Sequence, residues 1–319
     1  MAQKLIIDAD PGIVDALAVL VAMADPSVDL LAVTATAGSV SGIQATRNLQ
    51  YLVELVDPVR HPRVGQSDIK VAFGADSGSG VANQHAVNGA LGLGDLEFQV
   101  PDLHNRRESA KVIVDIVREY PREVKILTLG PLNNLLMAYD LEPQLPELLA
   151  GVVAMGGCVT FGGDVTAAAE FNIWADPEAA RSVFRLPLHR MLVPLDIRSP
   201  PVLTFEDVEL LTEFINGTAS GTAVASMLQF SVRSHHQHMG LEGIPLNSVA
   251  ALAVAAKAER FTAEAALVDV ETSGELTRGM TVFDRRRVAL TQTNVDVVTS
   301  VDAPGIIDYF SRSIRRVTG

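Results

Sequence analysis

Three aspartates, Asp8, Asp10 and Asp15, crowd into eight residues around a Pro11-Gly12 turn. Carboxylates that close repel one another, and a hard cation with oxygen ligands is the simplest offset. The apolar run Leu5-Ile6-Ile7 leads into the cluster, and Ala16-Leu17-Ala18-Val19-Leu20 leaves it, which reads as strand, tight loop, helix. A loop of this kind lies at the carboxyl end of a strand, where open α/β sheets place their ligands. Each aspartate alone has an ordinary explanation, Asp15 as a first-turn helix carboxylate and the other two as polar strand-end residues. All three together point to a metal or acid–base site.

Other segments carry chemistry that could join this cluster. Leu129-Gly130-Pro131-Leu132-Asn133-Asn134 offers bare backbone carbonyls at a strand end, and a backbone oxygen is an ordinary calcium ligand. Glu170 and Asn172 are two residues apart, so on a strand they would face one side and could grip two hydroxyls of a sugar. Asp176-Pro177 reads as the cap and first residue of a helix. His235, His236 and His238 fall within four residues, but no later His or Cys completes a transition-metal set. They read as a polar helix end or lid, or as proton donors to a leaving group. The chain has no Gly-x-Ser-x-Gly elbow and no Walker phosphate loop, and no Gly-x-Gly-x-x-Gly follows the first strand.

To converge, these residues need strand ends on one rim. Residues 29–36, 124–129, 151–155 and 190–194 read as strands, the first three running into Ala37-Gly38, Gly130-Pro131 and Gly156-Gly157. Helical patterns cover 44–55, 108–119 and 177–184 between them. After Val56 the pattern lapses, and Gly74, Gly78, Gly80, Gly89, Gly92 and Gly94 predict an irregular flap. The alternation predicts an α/β fold with an open, mostly parallel central sheet flanked by helices. In the last third, 205–214, 222–236 and 248–257 read as helices, and 265–270, 280–283 and 288–298 as strands. A final helix runs from 304 to about 316, so this third is a helical and β elaboration. No repeat, low-complexity tract or linker interrupts the chain, which reads as a single domain over 1–319.

The totals narrow the function. A 319-residue chain that is 48% hydrophobic is globular rather than disordered. Its formal net charge of −13 argues against a nucleic-acid partner, because phosphate binding needs a basic surface. Cys158 is the only cysteine, which excludes an internal disulfide and a Cys-based zinc site. The first residues run straight into a strand pattern without the charged start, apolar core and cleavage site of a signal peptide. No uncharged apolar stretch reaches transmembrane length. The expectation is a cytoplasmic protein that engages no membrane.

The segment Asp8-Ala9-Asp10-Pro11-Gly12-Ile13-Val14-Asp15-Ala16 resembles the Asp-x-Asp-Pro-Gly-x-Asp-Asp-Ala opening of the inosine-uridine-preferring nucleoside hydrolase family. Ala37-Gly38, Leu129-Gly130-Pro131-Leu132 with Asn134, Met155-Gly156-Gly157, Glu170-Phe171-Asn172 with Asp176-Pro177-Glu178-Ala179-Ala180, and Pro194-Leu195-Asp196 extend the likeness in order along most of the chain. The resemblance implies the nucleoside hydrolase-like sheet and a calcium-dependent enzyme of nucleoside salvage. That enzyme would split the N-glycosidic bond of a small-molecule nucleoside into base and (deoxy)ribose. It also implies a homodimer or homotetramer. Carried over residue by residue, Asp10 would hold calcium and act as general base, with Asp15, the Leu129 carbonyl and Asn247 as further ligands. Met155, Glu170 and Asn172 would line the ribose, and Asp8 would support the cluster. His235, His236 and His238 lie where the family contacts the base, and His85 survives in an approximate match to the family's flap.

The chain also departs from that pattern. Val14 replaces the first Asp of the Asp-Asp pair, which binds the ribose 2′-hydroxyl, and Ser39 stands where the family has Asn. Leu246 and Asn247 stand in place of a His and a calcium-binding Asp. An amide oxygen can still bind calcium, with one charge fewer and hence more weakly. A lost charge-assisted hydrogen bond to a hydroxyl costs about 1.5–3 kcal/mol. Two readings follow: a working nucleosidase of altered specificity, with Val14 tolerating a 2′-deoxy sugar, or a degenerate homologue that binds a nucleoside or ribose-like ligand with little metal and little catalysis.

Overall fold

In a computed structural model of the chain, the described residues are 2–56, 61–70, 80–101, 107–160, 162–215, 217–257, 259–286 and 292–319. The first half runs β1 (Gln3–Ala9), α1 (Ile13–Ala24), β2 (Val28–Ala35), α2 (Gly42–Leu55), β3 (Arg63–Gly65), α3 (Gly80–Asn88), α4 (Ser109–Glu119), β4 (Val124–Thr128), α5 (Asn133–Leu141), α6 (Leu145–Leu148) and β5 (Gly151–Met155). It continues with α7 (Phe171–Ala175), α8 (Pro177–Arg185), β6 (Arg190–Val193), β7 (Val202–Thr204), α9 (Phe205–Phe214), α10 (Ala219–Met239), β8 (Gly243–Pro245) and α11 (Asn247–Ala256). The chain ends with β9 (Phe261–Ala266), β10 (Val268–Val270), β11 (Thr281–Phe283), β12 (Val295–Val301) and α12 (Ala303–Thr318).

Eight strands form one sheet in the order β3-β2-β1-β4-β5-β6-β12-β9. Every pairing in it is parallel except β12 with β9. The mostly parallel sheet expected from the alternation is therefore present. Its inner strands read as unbroken apolar runs because both faces are covered, as at Leu5-Ile6-Ile7, all fully buried. One core packs α1, α2, α10, α11 and α12 on one face, and a second packs α4, α5 and α8 on the other. Helix α1 is apolar almost all round because it lies between the sheet and α11 and α12. From β1 the chain winds outward through β2 and β3, then crosses back and winds the other way through β4, β5 and β6. That reversal leaves a crevice between the carboxyl ends of β1 and β4, where Leu129 N–H donates to Asp8 O at 2.8 Å.

Three sequence readings are corrected. The glycine-rich stretch is not irregular throughout: it holds β3 and α3, while Gly74 and Gly78 lie outside the described residues. Residues 265–270 form two strands, since the chain breaks at Leu267 and passes from the main sheet into a separate β10–β11 hairpin. The last strand is β12, later than 288–298, and residues 287–291 lie outside the described set. Among the described residues no helix is long and apolar enough to cross a membrane.

The C-terminal helix is fastened to the first by Tyr309, whose buried hydroxyl donates to Asp25 Oδ2 at 2.7 Å just beyond α1. Tyr309→Phe should lower the unfolding free energy in a denaturant melt by about 1–3 kcal/mol, because it leaves a buried carboxylate oxygen unpaired.

Candidate active site

Asp10 follows directly on β1 and is 3% exposed. Its Oδ2 accepts from Ser39 N–H at 2.5 Å, and Ser39 Oγ donates back to Asp10 O at 2.9 Å. Two glycines make room for the carboxylate: a Cβ at Gly38 would lie 2.0 Å from Oδ2, and one at Gly130 would lie 2.3 Å from Oδ1. Both distances are closer than any non-bonded pair tolerates, so a side chain at either position would displace Asp10. Beneath it, Asp8 Oδ1 accepts from Thr34 Oγ1 at 2.6 Å and Asn134 Nδ2 at 2.8 Å. Asp8 Oδ2 is buried without a partner among the described residues.

The loop that carries the cluster is stapled from outside. Gly12 precedes α1 and has no side chain with which to cap it, so Asn88 Oδ1 at the end of α3 accepts from Ile13 N–H at 2.9 Å. Asn48 of α2 donates to Pro11 O at 3.2 Å and to Leu91 O at 2.8 Å, tying the loop to the segment after α3. Asp15 sits in the first turn of α1, its Oδ1 accepting from Ser248 Oγ at 2.5 Å. Ser248 follows Asn247, the first residue of α11, whose Oδ1 is buried without a partner among the described residues.

Along the rim, Asn172 Nδ2 donates to Leu129 O at 2.7 Å and to Met155 O at 3.1 Å, bridging the ends of β4 and β5. Glu170 and Asn172 do not share a strand face as their spacing suggested. Glu170 caps α7, with its Oε2 accepting from Ile173 N–H at 3.2 Å, and Asn172 lies in the first turn of that helix. An acidic side chain placed three residues before an unpaired helical amide favours the cap. Glu170 Oε2 also accepts from Gly157 N–H at 2.8 Å.

Burial is the largest influence on all these acids. It pushes Asp8 up to about 7 against the donors Thr34 and Asn134. It pushes Asp10 up to about 8, helped by the charge of Asp15, and Asp15 up to about 6 against the Ser248 hydroxyl. Glu170 rises to about 8 through burial and the nearby Asp164, itself held at about 6. Each is a carboxyl group kept from water in a crevice that lacks a neighbouring basic side chain among these influences.

The remaining predicted residues divide. Val14 is half-buried in the first turn of α1 against the core. Leu246 is fully buried at the start of α11. Of the three histidines on α10, only His235 turns inward: its Nδ1 donates to Ser231 O at 2.8 Å, and burial lowers its pKa. His236 is exposed, edge-on to Phe205 and 3.5 Å from Glu242, and His238 is exposed. His85 is exposed on α3, three residues before Asn88.

Asp10, Asp15, the Leu129 carbonyl and the orphaned Asn247 amide offer only oxygen, the donor set of a hard cation. Among the described residues no three or more His, Cys, Asp or Glu side chains are grouped as a metal site. A cation here would rest on two carboxylates and neutral oxygens.

Residues 5–308 match the model of the family described as inosine-uridine preferring nucleoside hydrolase. The chain belongs to that family. Its members are hydrolytic enzymes that act on N-glycosidic bonds. The chain is 32% identical to the pyrimidine-specific ribonucleoside hydrolase RihA of Salmonella arizonae, and 31% identical to its counterpart in Citrobacter koseri. The first alignment covers 99% of both chains and the second 98%. Among solved structures it superposes on a purine-preferring ribonucleoside hydrolase from Gardnerella vaginalis with a TM-score of 0.87, at 26% identity over 99% of each chain. A plant nucleoside hydrolase, the PpNRh1 enzyme, matches with a TM-score of 0.85 at 26% identity, over 98% of this chain and 99% of its own.

Sequence reasoning missed Asn48, Asn88 and Ser248, which brace this crevice, and gave Asn134 no contact of its own with Asp8. Asn88 stands in a glycine-rich stretch and Ser248 at the head of an apolar one, whereas Asn48 sits among Thr46, Arg47 and Gln50 with nothing to distinguish it. The raised carboxyls carry a stability consequence. A group whose folded pKa lies above its ordinary value of 3.8 holds a proton that the unfolded chain has released. With chelator present, the protein should lose stability as pH rises from about 4 to about 8, and denaturant melts at several pH values would show it.

Proposed function

We propose that the protein hydrolyses the N-glycosidic bond of a nucleoside at the crevice between β1 and β4, with calcium held by Asp10, Asp15, the Leu129 carbonyl and Asn247. The observation that carries this is the Asp10 carboxylate, buried beside Asp15 and walled by two glycines, at the switch point of the sheet. Calcium, when bound, would orient the sugar diol and make a water more acidic. Asp10 takes the proton of the attacking water, with Ser39 N–H fixing its second oxygen. Cleavage builds positive charge on the sugar, and the role of the Glu170 carboxylate in this reading is to stabilise it. Asn172 orients the Leu129 and Met155 carbonyls along the same wall. His235 spends its Nδ1–H on Ser231 O, so its neutral ring presents only an acceptor at Nε2, and burial resists the protonation that would make it a donor. The departing base is therefore protonated from another source, or leaves as an anion.

Base release from a panel of ribo- and deoxyribonucleosides tests this reading. Asp10→Asn should lower kcat by about 10²–10⁴, the scale of a general base. Wild-type protein that releases base from no member of the panel would end the enzymatic reading.

The small number of charged ligands favours a second reading, a nucleoside binder with weak metal and little turnover. Calorimetric calcium titration of wild type and Asn247→Asp separates the two. The enzyme reading expects measurable binding that tightens in Asn247→Asp as ligand charge is restored. The binder reading expects no heat from wild type.

A further inference from the structure

The β10–β11 hairpin stands outside the main sheet, its two strands falling within the 265–270 and 280–283 strand readings. It touches the chain at both segments that flank Glu170. On one side, Thr281 Oγ1 donates to Cys158 O at 2.8 Å and accepts from Cys158 N–H at 3.0 Å, and Arg285 donates to Val159 O. On the other side, the turn leading into β11 presses on α7. A Cβ at Gly279 would lie 2.7 Å from Trp174 Cα and 3.2 Å from Ala169 Cβ, and Arg278 reaches Trp174 O at 3.4 Å.

These two segments supply the backbone donors on Glu170 Oε2, Gly157 N–H from the first and Ile173 N–H from the second. The hairpin thus acts as a yoke that sets their separation. Thr281 is 3% exposed, so water cannot take the place of its hydroxyl. Asp196 holds the far end of the same loop through Val159 N–H at 2.7 Å and Thr160 N–H at 2.5 Å, and Leu195 N–H donates to Gly157 O at 2.8 Å, so that among the described residues Thr281 is the side-chain tie on Cys158, the residue after Gly157.

We propose that Thr281 is a positioning residue: by clamping Cys158 it fixes the Gly157 N–H against Glu170, and so sets where that carboxylate meets the sugar. The proposal rests on the reading that Glu170 faces the sugar of a nucleoside. Thr281→Val removes the hydroxyl at nearly constant volume, and Thr281→Ser restores it. Thr281→Ala is the second hydroxyl-free variant should the valine variant not fold.

Steady-state kinetics are measured for each, alone and combined with Glu170→Gln. The expected result is a loss of roughly tenfold in kcat/KM for Thr281→Val, the scale of one buried hydrogen bond, with KM rising more than kcat falls. Thr281→Ser should stay within about twofold of wild type, and Thr281→Val should cost nothing further on the Glu170→Gln background. Unchanged kinetics in the hydroxyl-free variants, or a full penalty persisting without the Glu170 carboxylate, overturns the proposal while leaving the hydrolase reading intact.

A wild type that cleaves no nucleoside sinks the hydrolase reading, and the positioning is then read by ¹³C NMR of the Glu170 carboxyl, assigned with Glu170→Gln. Asp164, Cys158 and Asp196 are the other titratable groups in that cluster. The Glu170 midpoint should move in Thr281→Val and return in Thr281→Ser. A midpoint that does not move in Thr281→Val overturns the proposal.

Discussion

Crowding acids into a dry crevice is the constraint on which the rest of this molecule depends. Asp8, Asp10 and Glu170 are all buried, with Asp15 beside them, and removing carboxylates from water is costly unless something replaces the lost hydration. The protein replaces part of it with fixed donors: Thr34 and Asn134 for Asp8, Ser39 for Asp10, Ser248 for Asp15, and two backbone amides for Glu170. The replacement is incomplete. Among the described residues one oxygen of Asp8 and the amide oxygen of Asn247 stay unpaired, and the carboxyls retain protons well above their ordinary range. Local stability is given up in the crevice, while the apolar layers on either side of the sheet supply what it forgoes.

The sheet's winding makes this arrangement possible. Because β1 lies between β2 and β4, the loops after β1 and β4 diverge to opposite faces and leave the crevice open between them. Each neighbour of β1 then contributes to the cluster: Thr34 reaches Asp8 from β2, and Gly130 and Asn134 approach from beyond β4. The next strand along, β5, brings Met155, and α7 closes the wall with Glu170 and Asn172.

Much of this was legible in the residues. Strand–helix alternation with glycines at strand ends gave the parallel sheet, and the Asp8/Asp10/Asp15 cluster gave the position of the crevice, because both are local patterns with a fixed period or spacing. What stayed hidden is non-local. Asn88 acts on Ile13 across 75 positions, and Ser248 acts on Asp15 across 233. No periodicity marks such pairs. The Glu170–Asn172 spacing misled because a two-residue separation suggests one face of a strand, whereas a capping acid followed by a helical turn has the same spacing. Of the readings of the histidines, the polar helix end fits His236 and His238, because a helix turns successive residues away from one another and only His235 of the three faces inward.

The outside cap on α1 has one more consequence. Among the described residues the Ile13 amide, one of the donors a helix start leaves unpaired, is satisfied by Asn88 alone, at the end of α3. Its exchange with deuterated solvent therefore requires that contact to part. The protection of this single amide in the first helix reports how firmly α3 is seated on the loop before α1, readable without any ligand.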